Sequence, residues 1–195
     1  DINTFGCFRV EYNKDKDYYK TAGEKIITVY GESPYSKSVE LKYVINQYDI
    51  NDYLTDNALQ VEYSYNGLSI EDGIVYTSNE IKPDAIIPNL VSDVEYEVLY
   101  QNNTNAGKAV IVLKGKGNYC GIIQKEFDIL PLEITTDNSY VITNFDKATY
   151  TGYEIKPLIM HITVNGIELK GEDYVLTFSN NINITTNEKA KMVLS

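Results

Sequence analysis

A chain of 195 residues with 43% hydrophobic side chains is long enough for two compact domains and too apolar for a disordered tail. Its formal charge of −11 argues against DNA, RNA and anionic membrane as partners, because all three are held by a basic surface. Eighteen tyrosines without a single tryptophan fit half-buried pleated strands, so the composition points first to β-structure.

In chain order the first elements are short strands, FRVEY, KIITVYG and SVELKYVI, between Phe8 and Ile45. In the last of them Val39, Leu41, Tyr43 and Ile45 alternate with Ser38, Glu40, Lys42 and Val44, the period of a half-buried strand. NKDKDYYKTAG reads as a polar hairpin tip in which Gly23 takes positive φ, and GESPY reads as a corner marked by Gly31 and Pro34. NQYDINDYLTDN reads as an acidic, turn-like connection. ALQVEYSYNG is then a strand with Leu59, Val61, Tyr63 and Tyr65 on one face, closed by an Asn66-Gly67 turn. The rest of the chain alternates strands and turns, and no window shows a helical apolar period. Pro83 and Pro157 suit an edge strand or a bulge, where no N–H is needed.

The turn, strand and Gly-rich corner over Asn102–Gly121 repeat an earlier stretch. Gly23, Gly31, Tyr35, Tyr43 and Ile45 recur as Gly107, Gly115, Tyr119, Phe127 and Ile129, each pair 84 residues apart and without a gap. Ile81-Lys82-Pro83 recurs 74 residues later as Ile155-Lys156-Pro157, and Tyr96–Tyr100 recurs 78 residues later as Tyr174–Phe178. The expected organisation is the C-terminal part of one unit over residues 1–45, and a connection with the first strand of the next over 46–73. A full repeat then spans 74–134 and a truncated one 135–195. A chain that starts and stops inside repeats reads as a fragment of something longer, with neither a leader nor an apolar run near 18 residues in view.

The pattern resembles the Ig-like tandem repeats of large bacterial cell-surface and secreted proteins of Gram-positive type. The matching residues are Tyr150, Thr151, Gly152, Ile155 and Pro157, then Gly171, Asp173, Tyr174 and Asn180. They continue with Asn103, Asn105, Ala106, Gly107, Gly115, Gly117, Tyr119, Gly121 and Phe127. Cys120 stands where a small hydroxyl residue is more usual, and ITTNE replaces the expected Asn-Ala-Gly turn in the last unit. The resemblance implies an all-β chain of tandem Ig-like β-sandwich domains. They would be extracellular and would serve as spacer, stalk or adhesive module. Some surface domains of this type carry an internal Lys–Asn or Lys–Asp bond, for which Lys82, Lys108 and Lys125 are the nominal candidates.

Chemistry is sparse. His161 is the sole histidine and lies in an apolar strand, so it builds neither a triad nor a zinc site. Gly115-Lys116-Gly117 lacks the Gly-Lys-Ser/Thr ending and the following helix of a phosphate loop, and reads as a strand-to-strand corner. Cys7 and Cys120 are too far apart in sequence to form a framework and read as two free thiols. Asp49, Asn51, Asp52 and Asp56 are the densest oxygen-ligand cluster and the candidate Ca²⁺ site, with Asp15 and Asp17 a smaller one; a solvated polar loop is the competing reading. Asn102-Asn103-Thr104 and Asn183-Ile184-Thr185 match the glycosylation pattern, which carries no weight for a bacterial source.

The expected function is therefore non-catalytic: a structural or adhesive repeat of a surface protein. Two alternatives stand beside it. One is an accessory module that binds carbohydrate or protein through Tyr18, Tyr19, Tyr63, Tyr65 and Tyr76, and the other is self-association by strand pairing. No cofactor beyond possible Ca²⁺ is expected.

Overall fold

The computed structural model describes residues 2–4, 6–182 and 190–194. The 183–185 sequon and most of the ITTNE stretch lie outside them. The chain is mostly β and forms two compact units: residues 1–74, 81–103 and 107–129 make the first, and 75–80, 104–106 and 130–195 the second.

Unit 1 starts with β1 (Ile2–Thr4), β2 (Phe8–Glu11), β3 (Gly23–Gly31) and β4 (Ser38–Ile45), an antiparallel sheet in that order. After β5 (Tyr48–Asp49) comes α1 (Ile50–Asp56), a helix where a turn-like connection is expected. The Asp49 side chain accepts from Asn51 N at its N-terminus, and Ile50 is fully buried. Seven residues are too few to display a 3.6-residue period, so the cap and one buried isoleucine define this helix. β6 (Glu62–Ser64) follows, shorter than expected. Tyr65 and Leu68 then close on each other around Asn66 (φ 51°) and Gly67 (φ 77°), the left-handed pair that a tight hairpin turn requires.

β7 (Ile74–Val75) and β8 (Asp84–Ile86) lead to β9 (Tyr96–Gln101), β10 (Gly107–Gly115), β11 (Tyr119–Cys120) and β12 (Ile122–Leu130). The order in the main sheet is β7-β12-β10-β9; β6 pairs with β8, and β5 pairs in parallel with β11. Pro83 immediately precedes β8 and is fully buried, so it packs without owing the ladder a hydrogen bond.

The 84-residue repeat is a structural one. Gly23 faces Ile45 and Gly107 faces Ile129; Lys25 faces Tyr43 and Ala109 faces Phe127; Val29 faces Val39 and Leu113 faces Ile123. Both hairpins therefore hold one register, opened by glycines at φ 112° and 129°. Their burial differs. Ala109, Ile111, Leu113, Phe127 and Ile129 are buried together with Ile70, Ile74, Ile81, Ala85, Ile87 and Tyr96, and these residues form the core of unit 1. On β4, by contrast, Val39, Leu41 and Tyr43 are exposed, although the alternation of this strand predicts a half-buried face.

Unit 2 contains β13 (Ser139–Thr143), β14 (Ile159–Val164) and β15 (Ile167–Glu168) in one sheet, and β16 (Leu176–Ser179) with β17 (Lys191–Leu194) in another. Ile162 and Val164 are its buried centre. The second repeat relation is also visible in contacts. Ile81 N donates to Asn103 O and Asn103 Nδ2 to Ile81 O (2.7 and 3.1 Å), while Ile155 N donates to Asn181 O and Asn181 Nδ2 to Ile155 O (2.9 and 3.2 Å). In each case the preceding asparagine, Asn102 or Asn180, is left-handed at φ 55° or 54°. Thr77–Asn79 and Thr151–Tyr153 form the same side-chain-to-backbone turn within these repeats.

Candidate functional site

The densest set of convergent polar contacts in unit 1 lies where the first hairpin and its connection meet the corner of the second. The corner begins at Gly115, whose N–H donates to Gly121 O at 3.0 Å. Lys116 N and Nζ donate to Glu95 O and Asp93 O, both at 2.8 Å, which fixes the loop over the 91–95 segment. Gly117, at φ 64°, turns the chain so that Asn118 points back to the first hairpin. Asn118 Oδ1 accepts from Ala22 N at 2.9 Å and Asn118 O accepts from Tyr48 N at 2.9 Å. Gln47 Nε2 donates to Gly117 O and Tyr119 O at 2.9 and 3.1 Å. A hairpin tip, a connection and a corner are thus joined by five directional bonds. Asn118 was legible only as part of a corner motif; its bridging role depends on contacts 96 residues apart in sequence.

Three tyrosines from these same segments pack beside the joint. The Tyr48 ring stacks on Tyr119 at 6.3 Å, and Tyr53 meets both edge-on at 5.9 and 5.7 Å. Tyr53 Oη donates to Pro88 O at 3.2 Å, and Tyr48 Oη donates to Asp56 Oδ2 at 2.5 Å. That bond to Asp56, then desolvation and the Asp56 charge, push the Tyr48 phenol from 10.0 up to about 12. The folded state therefore keeps a proton that the unfolded chain gives up above pH 10, so stability from this pair is complete below pH 10 and is lost as pH rises towards 12. The urea midpoint measured from pH 9 to 12 should fall less steeply in Tyr48→Phe than in the parent chain; parallel curves would remove the pair from the alkaline transition.

The sequence-predicted acids have other work. Asp49 Oδ1 accepts from both Asn51 N and Asn51 Nδ2 at 2.8 Å, and these bonds hold its carboxyl below the ordinary value. Asp56 serves Tyr48, and Asp52 lies in the first turn of α1. Asp15 and Asp17 organise the first hairpin tip, Asp15 accepting from Asp17 N and Asp17 pairing with Lys20. Among the described residues no group of three or more His, Cys, Asp or Glu is placed to hold a metal ion.

The five predicted binding tyrosines are all half-buried. Tyr18 Oη accepts from Ile26 N at 3.0 Å. Tyr19 Oη accepts from Asn13 N at 2.8 Å and donates to Ile26 O at 3.3 Å, so both rings brace their own hairpin. Burial raises the Tyr63 phenol, and Lys125 Nζ sits 5.8 Å from that ring. Tyr65 follows β6 at the Asn66-Gly67 turn, and Tyr76 belongs to unit 2.

Of the lysines considered for a cross-link, Lys108 is exposed beside Asp128 and Glu126, and Lys125 pairs with Glu71 at 2.7 Å. Lys82 is exposed. The buried lysine is Lys25, which sequence reading passed over. Its Nζ donates to Thr21 Oγ1 at 3.0 Å and lies 4.7 Å from the Tyr18 ring centroid. His161 is half-exposed, with Nδ1 3.2 Å from Glu168 Oε1. Cys7 is exposed, Cys120 half-buried, and both are free.

Fold and site define a mostly β protein built on a recurring long hairpin whose joints, rather than a reactive cleft, collect the directional contacts. Comparison with protein-family models, curated proteins and solved structures gives no match to the chain. Among the described residues no helix is long and apolar enough to cross a membrane.

Proposed function

We propose that the chain is a non-catalytic structural module: tandem repeats of Ig-like β-sandwich type that act as a stiff spacer in an extracellular or cell-surface protein. The observation that carries this reading is the Asn118 bridge, which ties the tip of one hairpin and the following connection to the corner of the next repeat. A flexible tether would need no such bonds. A spacer gains stiffness from them, since each fixes one repeat against its neighbour. Within unit 2 the equivalent tip residue, Ala106, lines a concavity of about 330 Å³ with Pro131, Leu132 and Leu169, so tip residues recur at packing sites. The carbohydrate-platform reading draws less support, because the tyrosines it needs spend their hydroxyls or faces on their own elements.

Pulsed electron resonance tests the joint. Spin labels at Cys7 and at Glu126→Cys, in a Cys120→Ala background, should give one narrow distance distribution, and Asn118→Ala should broaden it without unfolding either hairpin. A broad distribution already in the parent chain would sink the spacer reading.

A further inference from the structure

The two hairpins of unit 1 share a register and differ in what lies over them. Over the second runs the extended segment Ile81–Ile87, whose alternate residues Ile81, Pro83, Ala85 and Ile87 are all buried. Its backbone is held by side chains from β9 and the turn after it. Tyr96 Oη accepts from Ile87 N and donates to Ala85 O, both at 3.3 Å, Tyr100 Oη donates to Pro83 O at 2.6 Å, and Asn103 Nδ2 donates to Ile81 O at 3.1 Å.

The corresponding face of the first sheet carries Val10, Ile27, Val29, Val39, Leu41 and Tyr43. Tyr43 is 41% exposed where Phe127 is 4%, and Ile27 is half-buried where Ile111 is fully buried. Val10 faces Val29 as Val98 faces Leu113, so Tyr12, two residues beyond Val10, takes the place of Tyr100 and brings a hydroxyl to the position of the Pro83 clamp. The face has the apolar pattern of a covered sheet and the side chain of one clamp.

We propose that this face of β2-β3-β4 is a docking surface for one extended polypeptide segment whose apolar residues alternate as Ile81, Pro83, Ala85 and Ile87 do, presented from outside residues 1–195. The segment lies antiparallel to β2, its alternate side chains fill the face between β2 and β4, and Tyr12 Oη donates to its backbone. This is the arrangement that Ile81–Ile87 already adopts over β9 and β10, so the occupant is defined by chemistry that the protein itself displays. The inference needs the shared register of the two hairpins and does not depend on the spacer function.

The probe is a synthetic peptide with the sequence of residues 79–90, NEIKPDAIIPNL, added to the full chain. Hydrogen exchange should show saturable protection across Gly23–Ile45 and none across Gly107–Leu130, where the equivalent face is already covered. Leu41→Asp, a change at a 52% exposed position, should weaken that protection at least tenfold while leaving the circular dichroism unchanged. A peptide with aspartate at the three positions of Ile81, Ala85 and Ile87 should not protect. No protection at millimolar peptide, or protection centred elsewhere, overturns the proposal. So does concentration-dependent dimerisation of the chain alone that Leu41→Asp abolishes, because a second copy would then be the occupant.

Discussion

Ile111→Ala is expected to lower the unfolding free energy of unit 1 by about 2–5 kcal/mol, the cost of deleting a fully buried isoleucine and leaving a cavity that its neighbours fill only in part. Ile27→Ala, at the same register position of the first hairpin, should cost only about 1 kcal/mol, because Ile27 is half-buried and much of its apolar surface is already in water. Both side chains lie on the strand that precedes a Gly-rich corner and both face the following strand, Ile27 opposite Leu41 and Ile111 opposite Lys125. Strand propensity and register are therefore held constant and coverage alone is varied. Urea titration followed by tyrosine fluorescence gives both values, with an unchanged m-value showing that the same surface is exposed in each variant. Equal losses would mean that the β2-β3-β4 face is covered in solution, and the asymmetry between the hairpins would have to be abandoned.

That asymmetry marks the limit of what the residues disclose. Both hairpins were legible because the 84-residue offset runs without a gap and because glycine at 23 and 107 enters each strand with a positive φ that other residues resist. Burial was not legible. SVELKYVI and IIQKEFDIL carry similar alternation, yet β12 buries Phe127 and Ile129 while β4 leaves Val39, Leu41 and Tyr43 exposed. Alternation specifies which side chains share a face; it does not specify that another segment lies over them.

α1 escaped for a different reason. INDYLTD is too short for a periodicity argument, and the acids that read as cation ligands are in fact a helix cap and the acceptor for Tyr48. The tyrosines misled in the same manner, since a ring on a strand reads equally as platform or brace. Only the hydroxyl partners of Tyr18 and Tyr19, seven or eight residues away across a hairpin, decide between the two. The Ile-Lys-Pro repeat was visible as a pattern, but its meaning rests on the paired clamps of Asn103 and Asn181.

Gly115→Ala should be the most damaging single-methyl change in unit 1, costing about 1–3 kcal/mol or more. A Cβ at this position would stand 2.5 Å from Cys120 O and 2.6 Å from Cys120 C. Both are backbone atoms of β11, the strand that pairs with β5 through Tyr119↔Tyr48 and Cys120↔Asp49. Unlike a side chain, they cannot swing aside without opening the corner. Opening it lengthens the Gly115 N to Gly121 O bond and moves Asn118 away from Ala22 N. Gly31→Ala is the control, because the repeat places it at the same corner of the first hairpin. There the added methyl would meet Ser36 N at 3.0 Å and Tyr35 Cβ at 3.1 Å, contacts that a few tenths of an ångström relieve. The expected result is a loss of stability in Gly115→Ala that exceeds the loss in Gly31→Ala, with faster hydrogen exchange at Tyr48 and Ala22 in the former alone. Both amides donate to Asn118, so their joint release would show that this corner holds two segments at once; unchanged exchange there, despite a lower midpoint, would confine the role of Gly115 to its own hairpin.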